Sequence, residues 1–156
     1  MSKEKILIID DERNTREGLS AALHDRYHIF LAESALAGMQ ILKQEDISIV
    51  LTDLRMPGMD GMELTKLVST WENAPLIIML TAYGSVQTAI EAMKLGAYDY
   101  LTKPINLDDL EMMIERGLET LRMRQENQSL RLELAQQQSG VENIIGNSAI
   151  MAQLLS

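Results

Sequence analysis

Five side chains that could do chemistry together follow the predicted β-strands of this sequence. Asp10 and Asp11 follow the first strand, Asp53 the third, Thr81 the fourth and Lys103 the fifth. In open α/β sheets, ligands bind outside the carboxyl ends of the strands, at the point where the strand order reverses. In a flavodoxin-like order this point lies between the first and third strands, which carry the three carboxylates. The spacing therefore predicts one convergent site.

Three carboxylates at one place favour a metal site. Like charges at short range repel each other unless a cation neutralises them, and hard oxygen ligands suit Mg²⁺. A magnesium ion in such a site keeps several waters and takes an anionic oxygen to complete its octahedron. We therefore expect Asp10, Asp11 and Asp53 to hold Mg²⁺ together with a phosphoryl oxygen.

The two other side chains indicate phosphoryl transfer to a carboxylate. Lys103 supplies a movable positive charge and Thr81 a hydroxyl donor, and both suit phosphate oxygens. Phosphoryl transfer depends mainly on positioning and charge neutralisation, and an aspartyl phosphate is a recognised covalent species. Asp53 is the predicted nucleophile, because it alone stands on the central strand with Thr81 and Lys103 on its other side.

Short apolar runs alternate with helical patterns along the first 120 or so residues, which is typical of a parallel sheet with crossover helices. The predicted strands cover residues 5–9, 28–31, 48–52, 76–80 and 98–101. The predicted helices cover residues 14–24, 35–44, 61–71, 86–95 and 107 onward. The predicted fold is therefore α/β, a doubly wound five-stranded parallel sheet with the strand order 2-1-3-4-5.

Local signals mark several helix ends. Ser34, Ser85 and Asn106 each stand where a side-chain oxygen can cap the amino end of a predicted helix. Gly96 suits the left-handed turn that closes a helix. These signals support the proposed alternation of strands and helices.

The composition narrows the class of protein. The chain has 156 residues, of which 46% are hydrophobic, and a formal net charge of −9. This acidic balance argues against direct nucleic-acid binding, which needs a basic face. Cysteine is absent, which excludes disulfides and thiolate metal sites and fits a reducing cytoplasm. The first residues are too acidic for a signal peptide or a membrane helix, so we expect a cytoplasmic protein without membrane contact.

The last predicted helix extends beyond the sheet-forming part of the chain, to about residue 137, and a break is expected at residues 136–140. One of its apolar registers frames Asn127, a residue type that sets register in coiled coils. Two interpretations stay open: a coiled coil that makes the chain a homodimer, or a solvated helix that packs only its first turns. The leucines that a lone helix is expected to expose are Leu118, Leu121, Leu130, Leu132 and Leu134.

Four blocks of the sequence resemble the receiver domain of two-component response regulators. They are residues 8–12 (IIDDE), 51–61 (LTDLRMPGMDG), 80–82 (LTA) and 100–104 (YLTKP). The resemblance covers residues 1 to about 120, with no departure from the family pattern. It implies a phosphorylation-activated response regulator that receives its phosphoryl group from a sensor histidine kinase.

The resemblance implies roles for individual metal ligands. Asp11 would ligate Mg²⁺ directly, Asp10 would act largely through water, and the main-chain carbonyl of Arg55 would be a further ligand. Asp53 would be the phosphoacceptor. Independently of the resemblance, Arg55 and Tyr83 are placed at the mouth of the site, where their bulk is expected to set the lifetime of the phosphoryl group.

The resemblance also implies a conformational switch. Phosphorylation would draw Thr81 toward the phosphoryl oxygens and let Tyr100 turn inward into the vacated space. Lys103 would pair with the phosphoryl group, and the peptide bond between Lys103 and Pro104 would be cis.

The carboxyl-terminal segment adds a narrower resemblance. Residues 144–151 (IIGNSAIM) are similar to the segment that opens the AAA+ ATPase domain of sigma-54-dependent, NtrC-like transcription activators. The resemblance divides the chain into a receiver at 1–120, a helical linker at 121–140 and the start of an ATPase domain at 141–156. In the full-length protein it implies sigma-54 RNA polymerase and DNA as partners.

Other functions fit the residues less well. The phosphate-loop pattern GxxxxGK[ST] is absent, so we expect no enzyme activity beyond the receiver's own phosphorylation and dephosphorylation. A phosphatase with an aspartate nucleophile carries a second Asp two residues on, where this chain has Arg55. A flavin- or nucleotide-binding domain has a glycine-rich turn after the first strand, where this chain is acidic. The open alternative is a receiver with a different output domain, or a stand-alone receiver.

Overall fold

The structure is a computed structural model, which describes the main chain of residues 3–82 and 85–145, and the side chains of these residues up to 127 together with Leu130. Within them, five strands and five helices alternate. The strands are β1 (Lys5–Ile9), β2 (His28–Ala32), β3 (Ile49–Asp53), β4 (Leu76–Thr81) and β5 (Asp99–Thr102). They form one parallel sheet with the order β2-β1-β3-β4-β5. The predicted doubly wound fold is confirmed.

The helices agree with the sequence pattern except at some ends. They are α1 (Arg13–Leu23), α2 (Ala35–Gln44), α3 (Gly61–Val68), α4 (Val86–Lys94) and α5 (Leu107–Ile145). The third helix is three residues shorter than predicted, because the chain leaves the helix after Ser69 and then turns through Asn73, which has a positive φ of 57°. Strand β1 agrees with the prediction, whereas β2 to β5 differ from it by one residue at one or both ends, and Asp53 is itself the last residue of β3.

The helix caps are confirmed. The side chains of Ser34, Ser85 and Asn106 each accept a hydrogen bond from the main-chain N–H three residues further on, at 3.1–3.2 Å. Gly96 has a φ of +112°, a conformation that side chains with a Cβ rarely adopt. These caps fix where α2, α4 and α5 begin and where α4 ends.

The core lies along the central strands. Every residue of β3 and β4 is buried, as is all of β1 after Lys5. Helices cover both faces of a parallel sheet, so its inner strands have no solvent-facing side. Side chains at the carboxyl ends of these strands are therefore held by a rigid frame.

The residues divide into two compact units, Met1–Leu118 and Glu119–Ser156. In the first unit Leu118 is 3% exposed, so it belongs to the domain core and not to an exposed seam as predicted. Leu121 is half-buried, and Leu130 is 56% exposed, as predicted. The side chains of Leu132 and Leu134 lie outside the described residues.

Helix α5 does not break where the sequence predicted. It continues through residues 136–140 and ends at Ile145. Glutamine is a good helix former, and one interior glycine costs only about 1 kcal/mol, which is too little to stop a long helix. From Gly146 on, the segment with the ATPase-like resemblance lies outside the described residues. No helix in the described part of the chain is long and apolar enough to cross a bilayer.

Candidate functional site

The three predicted carboxylates meet at one edge of the sheet. One oxygen from each of Asp10, Asp11 and Asp53 lies within 4.8 Å of the others. Asp10 and Asp53 are buried, at 3% and 7% exposure, and Asp11 is exposed. Two nearly buried carboxylates thus lie beside a third one that is open to the solvent, from which a cation can approach.

Lys103, the residue after β5, pairs with two of these carboxylates. Its Nζ lies 3.1 Å from Asp10 Oδ2 and 3.2 Å from Asp53 Oδ2. The lysine side chain is 18% exposed and the two carboxylates are 4% and 8% exposed. Burial alone would lower the pKa of Lys103, but hydrogen bonds and charge from Asp10 and Asp53 raise it above its usual range. The ammonium group is therefore present across the physiological pH range.

Asp53 is left with an unsatisfied oxygen. Its Oδ1 is buried and has no hydrogen-bond partner among the described residues. Burial raises the pKa of the Asp53 carboxyl above its usual range and the Asp10 carboxylate adds to this, whereas Lys103 and a hydrogen bond from the main chain of Arg55 oppose it. A buried carboxylate oxygen without a partner is costly. The site is therefore suited to a cation or to a covalent change at Asp53.

Asp10, in contrast, has a partner for each of its polar groups. Its N–H donates to the carbonyl of Ala32 at 3.2 Å, and its carbonyl accepts from Arg16 Nη1 at 2.7 Å. Its Oδ1 accepts from the main-chain N–H of Glu12 at 2.9 Å, and its Oδ2 contacts Lys103. Asp10 thus anchors the β1–α1 loop, and Asp11 is the member of the pair whose carboxylate faces solvent.

The predicted switch residues lie on β4, which pairs with β3, and on the edge strand β5, which pairs with β4. Thr81 ends β4, is fully buried and aligns with Thr102 of β5. Tyr100 packs against a cluster that includes Met79 and Ala92. Its hydroxyl is buried and has no hydrogen-bond partner within the described part of the chain. The sequence-based expectation placed the ring inward only after phosphorylation, whereas here the hydroxyl is already buried.

Three further predictions concern Arg55, Tyr83 and the peptide bond before Pro104. Arg55 follows β3 with an exposed side chain, which agrees with a place at the mouth of the site. Tyr83 lies outside the described residues. The bond between Lys103 and Pro104 is cis, as the resemblance implied.

Gly61 is a site residue whose contact with the acceptor was not predicted from the sequence. It opens α3, and its N–H donates to the carbonyl of Leu54 at 2.9 Å. A Cβ added at Gly61 would lie 2.4 Å from the Asp53 carbonyl oxygen and 2.9 Å from the sulfur of Met79. The sequence signal at Gly61 was its position directly after Asp60, the residue that caps α3. Such a position predicts the start of a helix and does not predict that the glycine lies against the Asp53 main chain.

Gly61→Ala is expected to lower the free energy of unfolding by about 1–3 kcal/mol, because the methyl group overlaps main-chain atoms that cannot move aside cheaply. Urea denaturation followed by circular dichroism measures the change. The matched control is Gly18→Ala in α1, where an added Cβ meets nothing within 4 Å. That change should stabilise the protein by about 0.5–1 kcal/mol. Equal stability of Gly61→Ala and the wild type would contradict the close contact.

Comparison of the sequence with known protein families agrees with the site described above. Residues 6–115 match the model of the response regulator receiver domain. Regulatory protein AtoC of Escherichia coli is 37% identical over 78% of this chain and 27% of its own length. The C4-dicarboxylate transport transcriptional regulatory protein DctD of Pseudomonas aeruginosa is 35% identical over 98% of this chain and 33% of its own length. The chain thus spans about a third or less of these relatives.

Solved structures agree in fold. A response regulator receiver domain protein from Clostridium thermocellum superposes with a TM-score of 0.73 at 32% identity, over 77% of this chain and 98% of that one. NtrX from Brucella abortus has a TM-score of 0.75 at 28% identity, over 83% of this chain and 30% of its own. Both similarities extend over more than three quarters of this chain.

Proposed function

The chain belongs to the response regulator receiver domain family, and from this premise we propose that Asp53 accepts a phosphoryl group from a sensor histidine kinase. The activity belongs to two-component signal transduction, in which phosphorylation of a receiver controls an output. The proposed location of this phosphoryl transfer is the cytoplasm, where the kinase's phosphohistidine and the transcription machinery are found.

The observation that carries the proposal is the state of Asp53. Its Oδ2 is paired with Lys103 at 3.2 Å, while its buried Oδ1 has no partner among the described residues. A carboxylate with one oxygen held by a lysine and the other unsatisfied is oriented for attack on an incoming electrophile. Asp10 is also buried, paired with Lys103 and part of the acidic cluster, but both of its carboxylate oxygens have a partner, so of these two carboxylates only Asp53 has an unpartnered oxygen among the described residues.

The acidic cluster fits Mg²⁺. Oxygen ligands from Asp11 and Asp53 lie close enough to share one ion, and three neighbouring carboxylates are the hard oxygen donors that this cation prefers. The Arg55 carbonyl is the proposed further ligand, and Asp10 would act through water. When bound, the metal neutralises charge on the transferred phosphoryl group.

The chain's own residues then account for the transfer. A carboxylate oxygen of Asp53 attacks the phosphorus of the kinase's phosphohistidine in line, the P–O bond forms and the P–N bond breaks. The histidine leaves with the bonding electron pair and takes up a proton. Lys103 offsets the negative charge on the phosphoryl oxygens, and the hydroxyl of Thr81 donates to one of them. Hydrolysis reverses the modification, with Arg55 and Tyr83 limiting access of water.

The proposed output is repacking of the surface formed by α4, β5 and α5. Phosphorylation creates a charge near −2 beside a lysine, which biases a two-state element. Thr81 and Tyr100 are the proposed switch pair, and the unpartnered buried hydroxyl of Tyr100 supports a second position for that side chain. In the full-length protein we propose control of a sigma-54-type activator ATPase that acts on sigma-54 RNA polymerase and DNA. A receiver with a different output domain, or a stand-alone one, is the alternative.

Incubation with acetyl phosphate and Mg²⁺ tests the function. We expect intact mass spectrometry to show one added phosphoryl group that is lost in base, as an acyl phosphate is. Omission of Mg²⁺ or addition of a chelator should prevent the modification. A chain that stays unmodified with both acetyl phosphate and a histidine kinase phosphodonor would contradict the proposal.

Magnesium affinity is expected to depend more on Asp11 and Asp53 than on Asp10. Asp11→Asn removes a direct ligand and should weaken binding about tenfold or more, since even outer-shell partners cost about 10–100-fold. Asp10→Asn keeps an acceptor for the N–H of Glu12 and should cost less. Titration calorimetry measures the Mg²⁺ dissociation constants of the Asp10→Asn, Asp11→Asn and Asp53→Asn variants beside that of the wild type. Unchanged affinity in Asp11→Asn would contradict its role as a ligand.

The second unit is proposed to make the chain a homodimer through α5. Met123 and Leu130 are each 56% exposed and stand seven residues apart, with Asn127 between them. A seven-residue apolar spacing with one polar residue fits a parallel two-stranded coiled coil. Burial of each such side chain against a partner contributes up to about 1.5–3 kcal/mol.

Sedimentation of the full chain beside a chain truncated after Leu121 tests this assembly. We expect the full chain to dimerise at tens of micromolar and the truncated chain to stay monomeric without phosphorylation. Leu130→Asp should also give monomers, while the exposed Gln125→Glu should not. A monomeric full chain would leave the helix as a tether only.

A further inference from the structure

We propose that Arg16 is a positioning residue of the phosphoacceptor site, which holds the β1–α1 loop so that Asp11 stands beside Asp53. The inference rests on the proposed function and deepens it, because it assigns the support of the metal ligands to a residue outside the motif blocks. Arg16 lies in the first turns of α1, six residues after Asp10, and its side chain is half-buried.

The supporting contact is short and central to the loop. Arg16 Nη1 donates to the Asp10 carbonyl oxygen at 2.7 Å, which is at the short end of the range for such bonds. This carbonyl belongs to the peptide bond between Asp10 and Asp11. A guanidinium held at that carbonyl fixes the direction in which the main chain leaves β1, and therefore the place of Asp11.

The contact completes the set of bonds on Asp10. The other three come from the main chain of Ala32, the main chain of Glu12 and the ammonium of Lys103. Of the four partners, only Lys103 and Arg16 are side chains, and Lys103 also serves the phosphoryl group. Of the two side chains, Lys103 therefore serves both Asp10 and the phosphoryl group, whereas the bond from Arg16 supports only the main chain of the β1–α1 loop.

Charge and position predict opposite effects of removing Arg16. If the guanidinium acted only as a nearby cation, its removal would reduce repulsion of Mg²⁺ and tighten metal binding. If it positions the loop, its removal lets Asp11 move and weakens metal binding. The change in Mg²⁺ affinity therefore separates the two roles, and a merely structural role would change stability without changing affinity.

The test compares Arg16→Gln with Arg13→Gln by Mg²⁺ titration calorimetry, with unfolding midpoints recorded in chelator. Arg13 is the matched control, because it lies on the same helix, carries the same charge and pairs with Glu17 at 3.2 Å with 79% of its side chain exposed. We expect Arg16→Gln to raise the dissociation constant about tenfold, the lower end of the effect of outer-shell partners, and Arg13→Gln to change it less than twofold. Arg16→Lys, which keeps the charge and a donor, should recover part of the affinity.

Each outcome decides the inference. Unchanged or tighter Mg²⁺ binding in Arg16→Gln would overturn it. If Arg16→Gln does not fold, Arg16→Lys is compared with Arg13→Lys, and a several-fold weaker affinity supports the positioning role while equal affinities overturn it. A wild-type chain that neither binds Mg²⁺ nor accepts a phosphoryl group would instead overturn the proposed function.

Discussion

Asp53→Asn is expected to abolish phosphorylation by acetyl phosphate. The amide nitrogen and oxygen are poor nucleophiles, and the amide carries no negative charge for Lys103 and a metal to hold. Asp10 cannot take over, because its two carboxylate oxygens are engaged by Glu12 and Lys103. We expect a loss of labelling of at least about a hundredfold, within the range of effects of removing a group that acts in the transition state. Asp46→Asn, at an exposed carboxylate outside the cluster, is the control and should label normally.

The same substitution should stabilise the metal-free protein at neutral pH. Because burial raises the folded-state pKa of Asp53, the folded protein binds this proton more tightly than the unfolded chain does. The contribution of Asp53 to stability is then full below its unfolded pKa of about 3.9 and is lost as the pH rises through the folded pKa. Replacement by the neutral amide removes this loss.

Urea denaturation in chelator at several pH values measures the effect. The unfolding midpoint of Asp53→Asn should exceed that of the wild type at neutral pH, and the difference should shrink as the medium becomes acidic. A lower midpoint for the variant at neutral pH would mean that Lys103 stabilises the carboxylate more than burial destabilises it.

Lys103→Ala is expected to have the largest effect on stability among the site variants. The substitution leaves Asp10 and Asp53 buried at short range without their cation. Removal of one partner from a fully buried pair costs about 3–5 kcal/mol, and partial exposure of Lys103 reduces our expectation to about 2–4 kcal/mol. Since the pKa of Lys103 is raised in the folded state, its contribution is full at neutral pH and is lost only as the pH rises through the folded pKa.

The control for this variant is Lys5→Ala. Lys5 forms an ion pair with Glu45 at the same 3.1 Å distance, but both side chains are about a third exposed. Exposed pairs contribute about 0–1 kcal/mol, so this change should be small. In a double-mutant cycle, Asp53→Asn should relieve part of the cost of Lys103→Ala, because one of the two unpaired carboxylates is gone. Additive effects of the two substitutions would contradict the coupling.

Much of the fold and site follows from the sequence because parallel strands leave clear local signals. The buried strands are apolar on both faces, and the site residues come directly after them, so Asp10, Asp53, Thr81 and Lys103 are placed once the strand order is known. The predicted strand order was the flavodoxin-like one, in which the reversal point lies between the two strands that carry the carboxylates. The caps at Ser34 and Ser85 are equally local, since each bond spans only three residues.

The features that escaped prediction depend on contacts between distant parts of the chain or on small energy differences. Gly61 meets the Asp53 carbonyl because α3 packs back on the end of β3, which no local pattern shows. Leu118 is in the core although its spacing also suits a coiled-coil seam. Helix α5 runs past the expected break because a single glycine is a weaker stop than proline.

The central claim, that Asp53 carries the phosphoryl group, is tested most directly by mapping the modified residue. Borohydride reduces an aspartyl phosphate to homoserine, so a chain phosphorylated with acetyl phosphate and Mg²⁺ can be reduced, digested and sequenced by mass spectrometry. We predict homoserine at position 53 and at no other position. Homoserine at position 10 or 11, or phosphate found on a serine or threonine in the modified chain, would contradict the account.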